Sequence, residues 1–196
     1  RLLKRRVSVA LITRKVFPMN VKFVRIHKDT ERSKFDCGIP VLNEYFKKHA
    51  RQNDRLNIAN CFVAVSEDEA ISYGYYTLSM GSIGKDTLPI SLSKRLPNYP
   101  IPVIRIGKLG IDKAYQGKGL GGLMLMHIFS NVVSFQKGHG GPAFKFLVVD
   151  SKNEDSNRFY LKYGFTLLDE NFLVLPVETI VKLMGAKTVI KNNELA

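Results

Sequence analysis

The sequence is poor in the residues that build metal and disulfide sites. It holds no tryptophan, four histidines and only two cysteines among 196 residues. Cys37 and Cys61 have neither a CxxC partner nor a nearby histidine pair, which argues against zinc and against a disulfide framework. We expect no bound metal and two reduced core thiols, as in cytoplasmic proteins. Of the histidines, His127 lies on the apolar face of a predicted helix and is expected to pack in the core.

Long apolar runs are lacking as well. No stretch approaches the roughly 20 apolar residues that a membrane-spanning helix needs. Hydrophobic residues make up 45% and charged residues 24% of the chain, proportions typical of a globular protein with a sizeable core. The length fits one domain at roughly 100–200 residues per domain. The composition therefore predicts a single-domain cytoplasmic protein without membrane contact.

Acidic residues are few relative to basic ones. Thirty Lys and Arg stand against seventeen Asp and Glu, giving a formal net charge of +13. Residues 1–18 hold six of the basic residues and no acid, so the rest of the chain carries +7. Such a charge attracts polyanions, including nucleic acid. A solubilising surface or contacts to coenzyme phosphates would explain the same excess, and the charge alone does not decide between them.

Residues 1–18 are considered apart from the fold. They are basic, free of acids and partly apolar from Val7 to Ile12, which superficially resembles a targeting segment. Because Met19 stands just before the first patterned strand, we expect these residues to precede the natural start; a transit peptide is the alternative. The catalytic domain is expected over residues 19–185, with a polar tail over residues 186–196.

Hydrophobic periodicity predicts a mixed α/β fold with helices packed on one sheet. The predicted strands are Val21–Ile26, Ala59–Ser66, Ala70–Met80, Val103–Ile111, Ala143–Val149, Phe165–Leu168 and Asn171–Leu175. The predicted helices are Pro40–Arg55, Leu120–Phe135, Asn153–Tyr163 and Val177–Met184, with a break over Gly138–Pro142. Residues 81–102 contain four prolines and are predicted to form a loop that borders the substrate site.

A glycine-rich turn follows the strand that ends at Ile111. Gln116 to Gly121 reads Gln-Gly-Lys-Gly-Leu-Gly and stands where the next helix begins. Glycine lets a ligand approach the backbone, and a helix N-terminus offers free N–H donors to a pyrophosphate. The spacing fits neither a Walker loop nor a Rossmann fingerprint. From the residues alone, the turn is either a phosphate cradle or an ordinary helix start.

Two motifs resemble the signatures of the GNAT superfamily of N-acetyltransferases. Gln116–Gly121 resembles its Q-x-x-G-x-G turn. Asn153-x-x-Ser156-x-x-Phe159-Tyr160-x-x-x-Gly164-Phe165 resembles its N-x-x-A-x-x-F-Y-x-x-x-G-F segment, with serine for alanine. The resemblance implies acetyl-CoA as the acetyl donor and a mixed, mostly antiparallel sheet of the α+β type, with splayed central strands and flanking helices.

The resemblance also implies the site residues and the reaction, a direct attack of an amine on the thioester. Tyr160 would protonate the departing thiolate, a transfer that a phenol pKa near ~10 against ~8.5 for a thiol allows; by spacing alone it could equally be a core aromatic. No carboxylate is placed as a base. The implied cofactor-binding residues are Leu109, Gly110, Ile111, Gln116, Gly117, Lys118, Gly119, Leu120, Gly121, Asn153 and Ser156.

A further resemblance narrows the family to the GNAT toxins of bacterial toxin–antitoxin systems. It rests on Phe35–Gly38, Leu42–Phe46 and Gly74–Ser79, whereas residues 108–112 read Lys-Leu-Gly-Ile-Asp where these toxins commonly show Arg-Leu-Ala-Val-Asp. Such toxins acetylate the amino group of aminoacyl-tRNA and are often dimers, which implies charged tRNA and an antitoxin as partners. Candidate tRNA contacts are Lys22, Arg25, Lys47, Lys48, Arg51, Lys94, Arg95 and Arg105. The alternatives are acetylation of a small amine or a protein amino group, and a non-enzymatic acyl-CoA-binding module.

Overall fold

Seven strands form one mixed sheet in the computed structural model, which describes residues 20–137 and 142–185. Their spatial order is β1-β2-β3-β4-β5-β7-β6, and every neighbouring pair is antiparallel except β4 with β5. The strands are β1 Lys22–Arg25, β2 Asn60–Val65, β3 Ser72–Ile83, β4 Ile101–Ile111, β5 Phe146–Asp150, β6 Thr166–Leu167 and β7 Phe172–Pro176. The predicted mixed, mostly antiparallel sheet is confirmed.

Six α-helices accompany the sheet in the described residues. They are α1 Pro40–Glu44, α2 Ala50–Arg55, α3 Ile90–Ser93, α4 Leu120–Lys137, α5 Glu154–Lys162 and α6 Val177–Leu183. A π-helical turn over Tyr45–His49 joins α1 to α2, so the predicted helix at residues 40–55 is present with altered hydrogen bonding in its middle. The predicted break over Gly138–Pro142 falls mainly outside the described residues, as do residues 1–18 and 186–196.

The predicted loop over residues 81–102 is only partly right. The β3–β4 hairpin extends to the pair Ile83–Ile101, and α3 lies within the remaining connection. Ile83 and Ile101 are both buried, so apolar burial continues the ladder past the point where prolines suggested that it ends. β5 also begins three residues later than the predicted strand start at Ala143.

The two faces of the sheet are covered differently. Helices α4, α5 and α6 pack on one face through the largest apolar cluster, and we call this the helical face. The opposite face carries two smaller clusters, one under α1 and α2 and the other under residues 88–96. Between them, the cross-strand pairs Thr77–Lys108 and Ser79–Arg105 leave a polar strip.

The two cysteines are buried free thiols, and burial raises the pKa of both Cys37 and Cys61. Across residues 20–137 and 142–185, no group of metal-ligating side chains is placed to hold a metal ion. In the same ranges, none of the helices combines the length and the apolar character that crossing a membrane would require.

Candidate active site

The two central strands, β4 and β5, separate about halfway along β4. β4 and β5 pair in parallel only over Val103–Ile106, while β4 continues beside β3. A register shift between the pairs of Thr77 and Leu78 leaves Gly107 as an extra residue in β4, and a bulge of this kind bends its strand. A Cβ on Gly107 would lie 3.0 Å from Thr77 Oγ1, so glycine permits this close approach. The splay expected from the family resemblance is therefore present.

The gap between the strands opens into a cleft of about 760 Å³. Its walls include Tyr160 from the helical face and Lys108 from the opposite face, so the cleft passes between the strands and touches both sides of the sheet. Its size lies within the range of roughly 300–1,000 Å³ that is usual for ligand pockets. The lining residues are Leu42, Ile106, Gly107, Lys108, Leu109, Ile111, Gln116, Gly117, Gly121, Val149, Asp150, Ser151, Lys152, Asp155, Ser156, Phe159 and Tyr160.

The glycine-rich turn lies at the cleft, immediately before α4. Gly117 and Gly119 have φ angles of +71° and +95°, in the left-handed region that glycine adopts without steric penalty. A Cβ on Gly121 would lie 3.3 Å from the side chains of Ile111 and Phe159, so glycine here allows α4 to approach β4 and α5 closely. A turn with left-handed glycines directs backbone N–H groups toward a bound anion, and the helix N-terminus that follows favours negative charge. This arrangement fits a pyrophosphate.

Gln116 fixes the turn in place through its side chain. Its Nε2 donates to the carbonyl of Ile111 at 2.8 Å and to the carbonyl of Cys37 at 3.0 Å. These two bonds tie the turn to the end of β4 and to the segment before α1. The amide group of Gln116 therefore acts as a structural tie at the cleft wall.

The Phe35–Gly38 motif makes a second connection to the same turn. The Asp36 carboxylate accepts hydrogen bonds from Asn43 Nδ2 at 2.7 Å, Gly38 N at 2.8 Å and Lys113 Nζ at 2.9 Å. The Lys113 hydrogen bond is the main cause that lowers the pKa of Asp36 to about 2. The Asp36 N–H donates in turn to Asp112 at 2.9 Å. We call this set, with Gln116, the loop latch, because it joins α1 to the start of the glycine-rich turn.

Tyr160 lies on α5 and borders the cleft. Only 5% of the residue is exposed, and its ring packs edge-on against Phe159 and Phe165, with centroids 5.1 and 5.2 Å away. Within the described residues its hydroxyl makes no hydrogen bond. Burial raises the pKa of Tyr160 above its ordinary value, so the phenol stays protonated. The simple comparison of reference pKa values is therefore insufficient, because a thiolate can accept this proton only if the same apolar surroundings raise the thiol pKa too.

The carboxylates near the cleft are already engaged. Among the described lining residues, Asp150 pairs with Arg105, and Asp155 pairs with Arg158. Asp112 accepts from backbone N–H groups and caps the turn after β4. This arrangement leaves no unpaired carboxylate on the described cleft wall to serve as a general base.

The structure places the predicted site residues in four settings. Gly110 and Leu120 are buried; a Cβ on Gly110 would lie 2.9 Å from the Tyr75 ring, and Leu120 belongs to the large core cluster. Asn153 caps α5 by accepting from the Ser156 N–H at 2.9 Å. Lys118 and Gly119 belong to the turn beside the cleft. The cleft itself brings together Leu109, Ile111, Gln116, Gly117, Gly121, Ser156 and Tyr160.

Several cleft residues were not found by sequence reasoning. Lys108 and Lys152 line it, as does Leu42 from α1. Strand register could have indicated the residues on β4 and β5. Residues that follow the last paired position of two parallel strands border any gap that opens between those strands. Leu42 carried no such signal, since only tertiary packing brings α1 to the cleft.

His127 is half-buried and packs against aromatic rings at the margin of the core. Its ring stacks on Phe23 at 4.2 Å, and Nδ1 lies 2.7 Å from the Tyr76 hydroxyl. That hydroxyl accepts from Asn131 Nδ2 at 2.9 Å, and its own proton is available to an unprotonated His127 Nδ1. Burial lowers the pKa of His127, and none of these groups lines the cleft.

Comparison with known proteins agrees with this geometry. Residues 57–167 match the family model described as an acetyltransferase (GNAT) domain. The chain is 30% identical over 162 residues to the "Probable toxin TacT" of Sinorhizobium fredii, covering 79% of this chain and 90% of that protein. It is 27% identical over 143 residues to the "tRNA-acetylating toxin" of Mycobacterium tuberculosis, covering 73% and 82% respectively.

Solved structures show the same likeness. AtaT complexed with acetyl-methionyl-tRNA matches with a TM-score of 0.75 and 28% identity, over 84% of this chain and 99% of that one. A tyrosine-to-phenylalanine mutant of AtaT, bound to the C-terminus of the antitoxin AtaR and to acetyl-CoA, matches with a TM-score of 0.69 and 25% identity, over 84% and 98%. With a domain match over more than half of its length and the splayed strands of that fold, this chain belongs to the GNAT family of acetyltransferases.

Proposed function

We propose that this protein is an acetyl-CoA-dependent N-acetyltransferase that acetylates the amino group of aminoacyl-tRNA and acts as the toxin of a toxin–antitoxin pair. The observation that carries the proposal is the cleft through the sheet, with a glycine turn and the Tyr160 hydroxyl on one side and the Lys108 ammonium on the other. The tRNA and antitoxin complexes of similar proteins support the choice of partners. Charged tRNA is found in the cytoplasm, where we place the activity, and we assign the catalytic domain to residues 19–185.

We assign the donor side of the cleft to the glycine turn and to the strand edge after the bulge. Gly117 and Gly119 place no side chain in the way of phosphate oxygens, and Gly121 lets α4 begin close to β4. Ser156 contributes a hydroxyl at the start of α5. The backbone of Leu109 to Ile111 faces the gap where β5 no longer pairs with β4. When bound, acetyl-CoA supplies an activated acetyl thioester and leaves a thiol.

In this reaction Tyr160 holds a proton on its hydroxyl oxygen at the cleft wall. Its raised pKa keeps that proton in place throughout the physiological range, and its hydroxyl has no competing partner among the described residues. The ring is packed among apolar side chains while the hydroxyl borders the cleft, so the proton is available to the departing sulfur. Tyr160 is therefore assigned as the general acid.

We expect the acceptor to arrive as a free amine, because pairing with arginines makes both carboxylates on the described cleft wall weaker bases. The amine of an aminoacyl ester has a pKa below the ~7.7–8.0 of an ordinary amino terminus, so it is largely deprotonated at neutral pH. A lysine side chain with a pKa near ~10.4 would need a base. The paired carboxylates thus favour aminoacyl-tRNA over a protein lysine.

The test is transfer from radiolabelled acetyl-CoA to total charged tRNA, uncharged tRNA, a peptide with a free amino terminus and a small polyamine. Label should enter only charged tRNA and should leave the tRNA after mild alkaline cleavage of the aminoacyl ester, as an acetylated amino acid. Mass spectrometry of that product identifies the amino acid. Label in the peptide or polyamine with none in charged tRNA would contradict the proposal.

A further inference from the structure

The polar strip on the opposite face of the sheet lies beside the cleft, and we call it the polar trough because an apolar cluster flanks it on either side. The pairs Thr77–Lys108 and Ser79–Arg105 form its floor, between the apolar cluster under α1 and α2 and the cluster under residues 88–96. The trough meets the gap between β4 and β5 at Lys108, which lines the cleft. A substrate lying in the trough would reach the gap from the side away from the glycine turn and Tyr160.

Lys108 is the available cation in this trough. The second cation of the trough, Arg105, is paired with Asp150, and its Cζ lies 5.7 Å from the centroid of the Phe172 ring. Within the described chain, the Lys108 ammonium has no carboxylate partner; it donates only to the carbonyl of Gly107, at 3.3 Å. An ammonium has three donor hydrogens, so it retains the capacity to bind an anion.

Tyr45 defines where that ammonium lies. Lys108 Nζ is 5.3 Å from the centroid of the Tyr45 ring, a cation–π contact. The ring is held in turn by stacking on Tyr75, with centroids 6.3 Å apart, and by a hydrogen bond from Asn53 Nδ2 to the Tyr45 hydroxyl at 3.3 Å. The lysine head is therefore kept at the mouth of the cleft, and Tyr45 is a positioning residue.

We propose that Lys108, positioned by Tyr45, binds a backbone phosphate of the tRNA acceptor end as the aminoacyl group enters the cleft from the opposite face. This inference rests on the proposed function and names the contact that its substrate makes. The acceptor end of tRNA is single-stranded and carries a phosphate at every nucleotide. An unpaired ammonium at the rim of the gap matches that charge pattern.

The decisive measurement is the salt dependence of tRNA binding and acetylation in the Lys108→Met variant. We expect KM for charged tRNA to rise about tenfold and KM for acetyl-CoA to stay unchanged. The slope of log affinity against log salt should fall in magnitude by about 0.7, the value for one phosphate contact on a single strand. Tyr45→Leu should raise KM for tRNA less and keep the slope, because it displaces the charge without removing it.

The control is Lys182→Met, which removes an exposed charge from α6 on the helical face, whereas Lys108 is half-buried; this variant should leave the slope unchanged. An unchanged slope in Lys108→Met, or an equal fall in Lys182→Met, would overturn the proposal even if charged tRNA is acetylated. If wild-type protein acetylates no charged tRNA, the proposed function fails; the phosphate contact then stands or falls on whether Lys108→Met lowers the slope for uncharged tRNA. Lys108→Gln replaces the methionine variant if that variant does not fold.

Discussion

Replacing Tyr160 by phenylalanine removes one hydroxyl and little else. The ring contacts to Phe159 and Phe165 do not involve the oxygen, and no described residue loses a hydrogen-bond partner. The free energy of unfolding should therefore change by about 0.5 kcal/mol or less, below the net worth of a typical hydrogen bond. The catalytic effect should be much larger. General-acid catalysis contributes about 10²–10⁴-fold, which corresponds to ~2.7–5.4 kcal/mol in the activation barrier.

The assay combines initial rates on charged tRNA with urea unfolding of both proteins. We expect kcat to fall by two or more orders of magnitude while the unfolding midpoint and both KM values stay close to wild type. Because the pKa of Tyr160 is raised, the wild-type kcat should show no loss from its ionisation below about pH 10. A variant kcat within a few-fold of wild type would remove Tyr160 from the proton transfer and leave the family assignment intact.

Three further changes test the turn, the latch and the histidine. Gly117→Ala should lose about 1–2 kcal/mol of stability because of its φ of +71°; no atom crowds the new Cβ, so Gly117→Asn, which tolerates this conformation, should lose less in the same urea titration. Gln116→Ala should raise KM for acetyl-CoA several-fold by freeing the turn from two carbonyls, with kcat at saturation little changed; a KM equal to wild type would show that the tie is dispensable. Burial holds the folded pKa of His127 below the unfolded value of 6.5, so the unfolded chain takes the proton first and stability falls as the pH drops below about 6.5. His127→Gln should flatten that part of the stability curve, and an unchanged pH dependence would contradict the assignment.

The parts of the site that follow from local chemistry were predictable. Several features depend only on neighbouring residues in the sequence. They are the left-handed glycines at 117 and 119, the helix cap by Asn153, and Gly164, which ends α5 with a φ of +90°. Hydrophobic periodicity predicted the helix that contains Tyr160. The family motif supplied the hypothesis that Tyr160 is the general acid. These features needed no knowledge of distant contacts.

The remaining features depend on partners far away in the sequence. Asp36 and Lys113 of the loop latch are separated by 77 positions, and neither has a neighbour that signals the pairing. Prolines suggested that β4 starts late, yet Pro102 is tolerated in the strand. Its carbonyl accepts from Lys145 N at 2.9 Å, so its missing N–H faces the side where the parallel ladder has not begun. Lys108 became a candidate only when register and packing placed it at the gap.

The cleft that passes between the splayed strands has a kinetic consequence. If the acetyl donor enters from the helical face and the acceptor from the opposite face, neither substrate blocks the path of the other. The two can bind in either order, and reciprocal plots at several acceptor concentrations should intersect instead of running parallel. Free coenzyme A should compete with acetyl-CoA but not with charged tRNA, so acetylated tRNA can leave while the spent coenzyme is still bound.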